Sequence, residues 1–318
     1  MIIVTIFLTF LFIILALILA LFILCFIASR RPAVENDYFN QISSCMPIEQ
    51  KYTAKGDYHV SYFEAPSEYD YVKKYEIWYP SEILLNDKSN RKYPLVIMAN
   101  GTGIMASRYK AIFDHLASWG FIVVGNENEN SGNGKSSSAC LDYMISLNSN
   151  KENQFYEKID LDNIAVAGHS QGGLGAINAV LGQKNGDKYK TIYTASAPTN
   201  NIAEFILKVP YNDMSKLQIP YFQTSGTLKI DAGVDENSGI SPLSSLEERY
   251  NLVSEKVPKI LARRVNTDHG NMLPKADGYM TAWLSFWLQN DLEAKKAFFG
   301  TDAEILINPN WTDIKKNI

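Results

Sequence analysis

The chain opens on an unbroken apolar run. From Ile2 to Ala28 there is no charged residue, and Thr5 and Thr9 are almost its only polar positions. That length exceeds the ~20 residues that cross a ~30 Å hydrocarbon core, so it predicts an N-terminal transmembrane helix, with residues 1–29 as an anchor. A cleaved signal peptide would show a basic start, a shorter apolar core and a small-residue exit, and none of these is present. Phe22-Ile-Leu-Cys25 also lacks the small residue that precedes a lipidated cysteine. Residues 30–57 are polar and irregular, which predicts a tether to a domain over 58–318.

Within that domain, short apolar runs alternate with helical patterns. Tyr71–Pro80 alternates like an outer strand, Ser81–Lys92 reads as a charged hairpin-like turn, and Pro94–Ala99 is a fully apolar strand ending in Asn100-Gly-Thr-Gly103. A helix is predicted over Ala106–Trp119, stopped by Gly120. Phe121–Gly125 is the next strand and Ser136–Leu147 the next helix. Strands follow at Thr191–Ser196, Ile219–Ser225 and Lys259–Val265, with helices at Pro242–Leu252 and Ala276–Leu288. This alternation predicts an α/β architecture, a mostly parallel sheet with helices on both faces.

At the centre lies Ile164-Ala-Val-Ala-Gly168-His169-Ser170-Gln171-Gly172-Gly173, an apolar strand breaking into G-x-S-x-G and then into the small-residue run Leu174–Val180. Strand, sharp turn and helix in that order are the context of a nucleophile elbow, in which a serine is held exposed on a strained turn. Glycines two before and two after it avoid collisions there. Ser170 is therefore the candidate nucleophile, beside a helix N-terminus that favours developing negative charge.

Charge and cysteine content narrow the field. The formal net charge of −4 supplies no basic field, so nucleic acid is not an expected partner. Only three cysteines occur, Cys25, Cys45 and Cys140, without metal spacing, so neither zinc nor a disulfide framework is indicated. Cys45 and Cys140 either pair or remain as two free thiols. Arg30 and Arg31 follow the apolar run with nothing basic before it, which retains the domain in the cytoplasm by the positive-inside rule. Two arginines alone do not decide the orientation, so a single-pass cell-membrane location is expected with its side open.

An activated serine needs a base, a carboxylate to orient the base, and backbone donors for an oxyanion. Of the four histidines, His59 lies at the domain entrance, His115 inside a helix, and His169 within the elbow but pointing elsewhere. His269, in the loop directly after the last strand read, is the favoured base. The acid belongs in the loop before it, because the order on such a sheet is Ser, then Asp or Glu, then His. In Ser225–Glu236 the carboxylate nearest the strand end is Asp231, with Asp235 and Glu236 as fallbacks. The oxyanion donors read as the backbone N–H groups of Gln171 and Thr102.

These motifs resemble those of the α/β-hydrolases of the dienelactone hydrolase, chlorophyllase and cutinase-like polyester hydrolase group. The resemblance covers most of Tyr71–Gly300. It rests on Asn100-Gly-Thr, Trp119-Gly-Phe-Ile-Val-Val, Gly168-His-Ser-Gln-Gly-Gly, the Ser-Gly-Thr turn at 225–227, Asp268-His-Gly and the tail through Ala297-Phe-Phe-Gly300. The chain departs from the group at Asn100, where His or Pro is usual, and in the long spacing from Gly226 to Asp231. The resemblance implies an α/β-hydrolase fold and a serine esterase that needs no cofactor, acting on a small-molecule or lipid-like ester. A silent hydrolase-fold binding protein and an acyltransferase or thioesterase using the same elbow are the competing readings.

Overall fold

The computed structural model describes residues 10, 12–21, 23, 31–85, 91–235 and 237–318. They fall into two compact units, divided between Ala33 and Val34. In the first, the continuous described stretch 12–21 is helical with its apolar side chains exposed. A helix of that length rises only ~15 Å. Among the described residues no helix is long and apolar enough to cross a membrane. The transmembrane helix expected over Ile2–Ala28 is thus not shown, and the rest of that run lies outside the described residues.

The second unit, Val34–Ile318, is built on one sheet of nine strands in the order β1-β2-β4-β3-β5-β6-β7-β8-β9. The strands are β1 (Val60–Pro66), β2 (Lys74–Pro80), β3 (Tyr93–Ala99), β4 (Ile122–Asn126), β5 (Ile159–His169), β6 (Thr191–Ala195), β7 (Tyr221–Gly226), β8 (Lys259–Arg264) and β9 (Trp311–Lys316). β4, β3, β5, β6, β7 and β8 run parallel. β1, β2 and β9 join antiparallel at the two edges. β3 and β4 are apolar up to the closing Asn126 of β4 and buried on both faces, as a covered parallel sheet requires.

Among the described residues, the α-helices longer than four residues are α1 (Pro47–Thr53), α2 (Lys110–Ser118), α3 (Lys135–Ser149), α4 (Gln171–Gly182), α5 (Leu243–Leu252) and α6 (Met272–Gln289). Alternation along the strands divides them between the faces. Leu95 and Ile97 of β3 share a buried cluster with Cys140, Leu141 and Met144 of α3 and Ile177 of α4. On the other face Trp78 of β2 packs against Phe113 of α2, and Phe222 of β7 against Trp283 of α6, with tilted rings. The mostly parallel sheet with helices on both faces is therefore the architecture of the chain.

Four stretches differ from the sequence reading. Ser81–Lys92 is not a hairpin, because β4 inserts between β2 and β3 and pairs antiparallel with β2. Residues 34–56, expected as a tether, belong to the compact unit: Val34, Tyr38, Glu49 and Tyr52 are buried. The Glu304 carboxylate explains the ordering, since it accepts the N–H groups of Ile48 and Glu49 at 2.7 and 2.8 Å and so caps α1. Edge strands β1 and β9 were not expected, because each is only half buried and mixes polar with apolar residues.

Candidate active site

The parallel strands β5, β7 and β8 end at one edge of the sheet, and the three loops leaving that edge carry Ser170, Asp231 and His269. Ser170 joins β5 to α4 with φ 57° and ψ −129°. A non-glycine residue held there stores on the order of 1–3 kcal/mol of strain. The turn is fixed by the Ser170 N–H donating to Ala195 O at 2.9 Å and by Ser170 O accepting from Gly173 at 2.8 Å. Gly168 and Gly172 are needed for contact. A Cβ on Gly168 would stand 2.1 Å from Gly172 O, and one on Gly172 would stand 2.1 Å from Ala99 O.

A continuous chain of hydrogen bonds runs from this serine into the protein. Ser170 Oγ lies 2.9 Å from His269 Nε2, and His269 Nδ1 lies 2.6 Å from Asp231 Oδ1. Asp231 is fully buried, and its Oδ2 accepts from Ser196 Oγ at 2.5 Å and from the Gly226 N–H at 2.7 Å. An acceptor with three donors fixes the proton positions: Nδ1–H of His269 points at Asp231, leaving Nε2 to accept from the serine hydroxyl. A short helical turn, Lys229–Ala232, brings Asp231 back under the site. Asp268 ties that turn to the histidine loop, accepting both Ile230 N–H and His269 N–H on one oxygen, at 3.0 and 2.9 Å.

The remaining candidates separate clearly. Asp235 is exposed and caps its own loop, accepting from Asn237 and Ser238; Glu236 lies outside the described residues. His59 is exposed. His115 is buried against Asp277 at 2.7 Å and Ala54 O at 2.9 Å, a structural position. Cys45 and Cys140 are both free thiols, one exposed and one buried. Among the described residues no group of His, Cys, Asp and Glu could hold a metal ion.

The loop after β3 lies against the elbow: a Cβ on Gly101 would be 3.3 Å from His169 O and 3.7 Å from Ser170 Cβ. Asn100 anchors this loop from beneath, its Nδ2 donating to Asn126 O and Asn128 O at 2.7 Å each. Among the described residues, no hydrogen bond occupies the N–H of Thr102, which follows in that loop, or of Gln171, the first residue of α4.

Two polar contacts went unread in the sequence. His169 turns to the histidine loop, its Nε2–H donating to His269 O at 2.8 Å with the rings 4.8 Å apart. Burial, then the neighbouring His269, lower its value from the ordinary 6.5 to about 4, so the ring is neutral near pH 7. Ser196 is the other; its only sequence signal is its place at the end of the strand beside the elbow strand.

No curated protein matches the chain. A model of the PETase family, described as PET hydrolase-like, matches residues 52–302. That match takes in the elbow, the acid turn, the histidine loop and nearly the whole sheet, and the chain belongs to the PET hydrolase-like family of α/β-hydrolases.

Proposed function

We propose that this protein is a serine hydrolase that cleaves carboxylic esters through an acyl-enzyme. The observation that carries the reading is the hydrogen-bonded series Ser170, His269, Asp231, with the serine on a strained elbow at a helix N-terminus. Ser170 Oγ attacks the ester carbonyl as its proton passes to His269 Nε2. Asp231 holds the imidazole in the tautomer that leaves Nε2 free and stabilises the imidazolium that forms. The N–H groups of Gln171 and Thr102 receive the oxyanion. His269 then protonates the departing alkoxide, and the same ring activates the water that releases the acid.

Exposed apolar residues stand on the loops of the edge that carries Ser170: Phe205 and Ile206 after β6, Leu228 and Ile230 after β7. Such an apolar rim favours small or medium acyl groups, which need no deep tunnel. The uncharged run Ile2–Ala28 supports a membrane tether for the same enzyme. Hydrolysis of p-nitrophenyl esters from acetate to palmitate tests the reading. Short esters are expected to turn over fastest, and Ser170→Ala to lose several orders of magnitude. A rate that climbs steadily to palmitate would refute the acyl-size reading, and undiminished turnover in Ser170→Ala the mechanism.

A further inference from the structure

The carboxylate of Asp231 has two oxygens, and only one faces the histidine. The other accepts from the Gly226 N–H and from the hydroxyl of Ser196, which is fully buried and sits in the left-handed region at φ +49°. That conformation is unfavourable for a residue with a side chain and is kept only where the surroundings enforce it. The surroundings here are specific. The Ser196 N–H donates to Thr224 O at 2.7 Å. The next two carbonyls, Ala197 O and Pro198 O, accept from the Arg249 guanidinium at 3.1 and 3.3 Å. Arg249 is itself buried, and it also donates to the neutral Gln223 Oε1 and Ser245 Oγ. A buried guanidinium spent on two loop carbonyls holds the chain bend that aims the Ser196 hydroxyl at Asp231.

We propose that Ser196 is a positioning residue of the site: its hydroxyl, held by the strained bend that Arg249 clamps, orients Asp231 and draws off part of its charge, and so sets the geometry and basicity of His269. The inference rests on the hydrolase reading above. Without the Ser196 hydroxyl the outer oxygen keeps only the Gly226 N–H, and the carboxylate, less firmly held, rotates and lengthens the 2.6 Å contact to Nδ1. A carboxylate relieved of a donor also holds the imidazolium more tightly. Around His269 the charged or titratable neighbours are Asp231 from the turn after β7, His169 from the end of β5 and Asp268 from its own loop. Of these, only Asp231 touches Ser196.

The test compares wild type, Ser170→Ala, Ser196→Ala and Ser196→Gly by kcat, KM and the pH profile of kcat/KM on p-nitrophenyl acetate. The downfield imidazole proton of His269 is followed by NMR without substrate. Glycine relaxes the φ +49° bend while removing the hydroxyl, so a defect shared by both variants is not one of strain. Both should lose about tenfold in kcat, the scale of one hydrogen bond to a charged group, with KM little changed. Both should also move the acid limb to higher pH and displace the imidazole proton. Wild-type kcat, acid limb and proton resonance in Ser196→Gly would overturn the inference while leaving the hydrolase reading intact. A Ser196→Ala that only melts earlier, with an unmoved acid limb, would overturn it too. Full activity in Ser170→Ala would remove the hydrolase reading, and this inference with it.

Discussion

Asp231 and Asp235 are four residues apart in one loop and live in opposite surroundings. Asp231 is dry and holds three donors; Asp235 faces water, where hydrogen bonds from Asn237 and Ser238 keep its carboxyl below the usual range. Asp231→Asn keeps the shape but presents an amide to Nδ1, favouring the wrong tautomer. It should cut kcat by about 10³–10⁴-fold at nearly unchanged melting temperature. Asp235→Asn should leave turnover within about twofold, since removing exposed carboxylates moves little. Steady-state kinetics on both variants decides this, and a dead Asp235→Asn beside an active Asp231→Asn would reverse the roles. At this scale the hydrogen-bonded meeting of Ser170, His269 and Asp231 was legible, because elbow glycines and the order of strand ends are written in one dimension. Ser196 and the turn of His169 were not. Each acts through a contact made across strands, and neither residue type stands out in its own segment.

Among the elements, α1 shows what a distant carboxylate does. Pro47 opens the helix, no side chain within it caps its start, and Glu304 from the far end of the chain supplies the missing acceptors while also accepting from the Tyr279 hydroxyl at 3.0 Å. Glu49, brought inward by this helix, then accepts from Trp311 Nε1 at 2.7 Å and Asn308 Nδ2 at 2.8 Å, fastening α1 to β9 and its preceding turn. Glu304→Ala should cost about 1–3 kcal/mol through the lost cap and the orphaned buried N–H groups. Differential scanning calorimetry should show a melting point lower by about 3–10 °C. Turnover below the melt should be unaltered, because α1 does not touch the elbow, and an unchanged melting point would show the cap to be idle. The central strands were readable as apolar runs because both faces of a parallel sheet are covered. Residues 34–56 and the strands β1 and β9 were not, since their order comes from partners more than 200 residues away or from edge pairing.

At the scale of the whole molecule, two buried imidazoles with shifts of opposite sign contribute to the pH dependence of stability. His169 titrates near 4 in the fold against about 6.5 when unfolded. Its contribution is complete above pH 6.5 and is lost as the pH falls through 4, worth about 3 kcal/mol in all. For His115 burial pulls the value down, but the charge of Asp277 and hydrogen bonds to Asp277 and Ala54 prevail and raise it. Its stabilisation is therefore present below pH 6.5 and fades as the pH rises through the folded value. Thermal melts from pH 7 to 4 should show wild type losing stability more steeply than His169→Gln, which has no proton to take up; parallel curves would exclude His169 as the cause. The central α/β sheet of the second unit was legible in the sequence, while the anchor expected over Ile2–Ala28 rests on composition alone. The central claim, that Ser170 is a nucleophile activated by His269, is met most directly by treating the full chain with a fluorophosphonate and locating the adduct by peptide mass spectrometry. The predicted result is one adduct, on Ser170, absent from Ser170→Ala and formed far more slowly in His269→Ala. A folded wild-type protein that stays unlabelled, or a label that persists in Ser170→Ala, would contradict it.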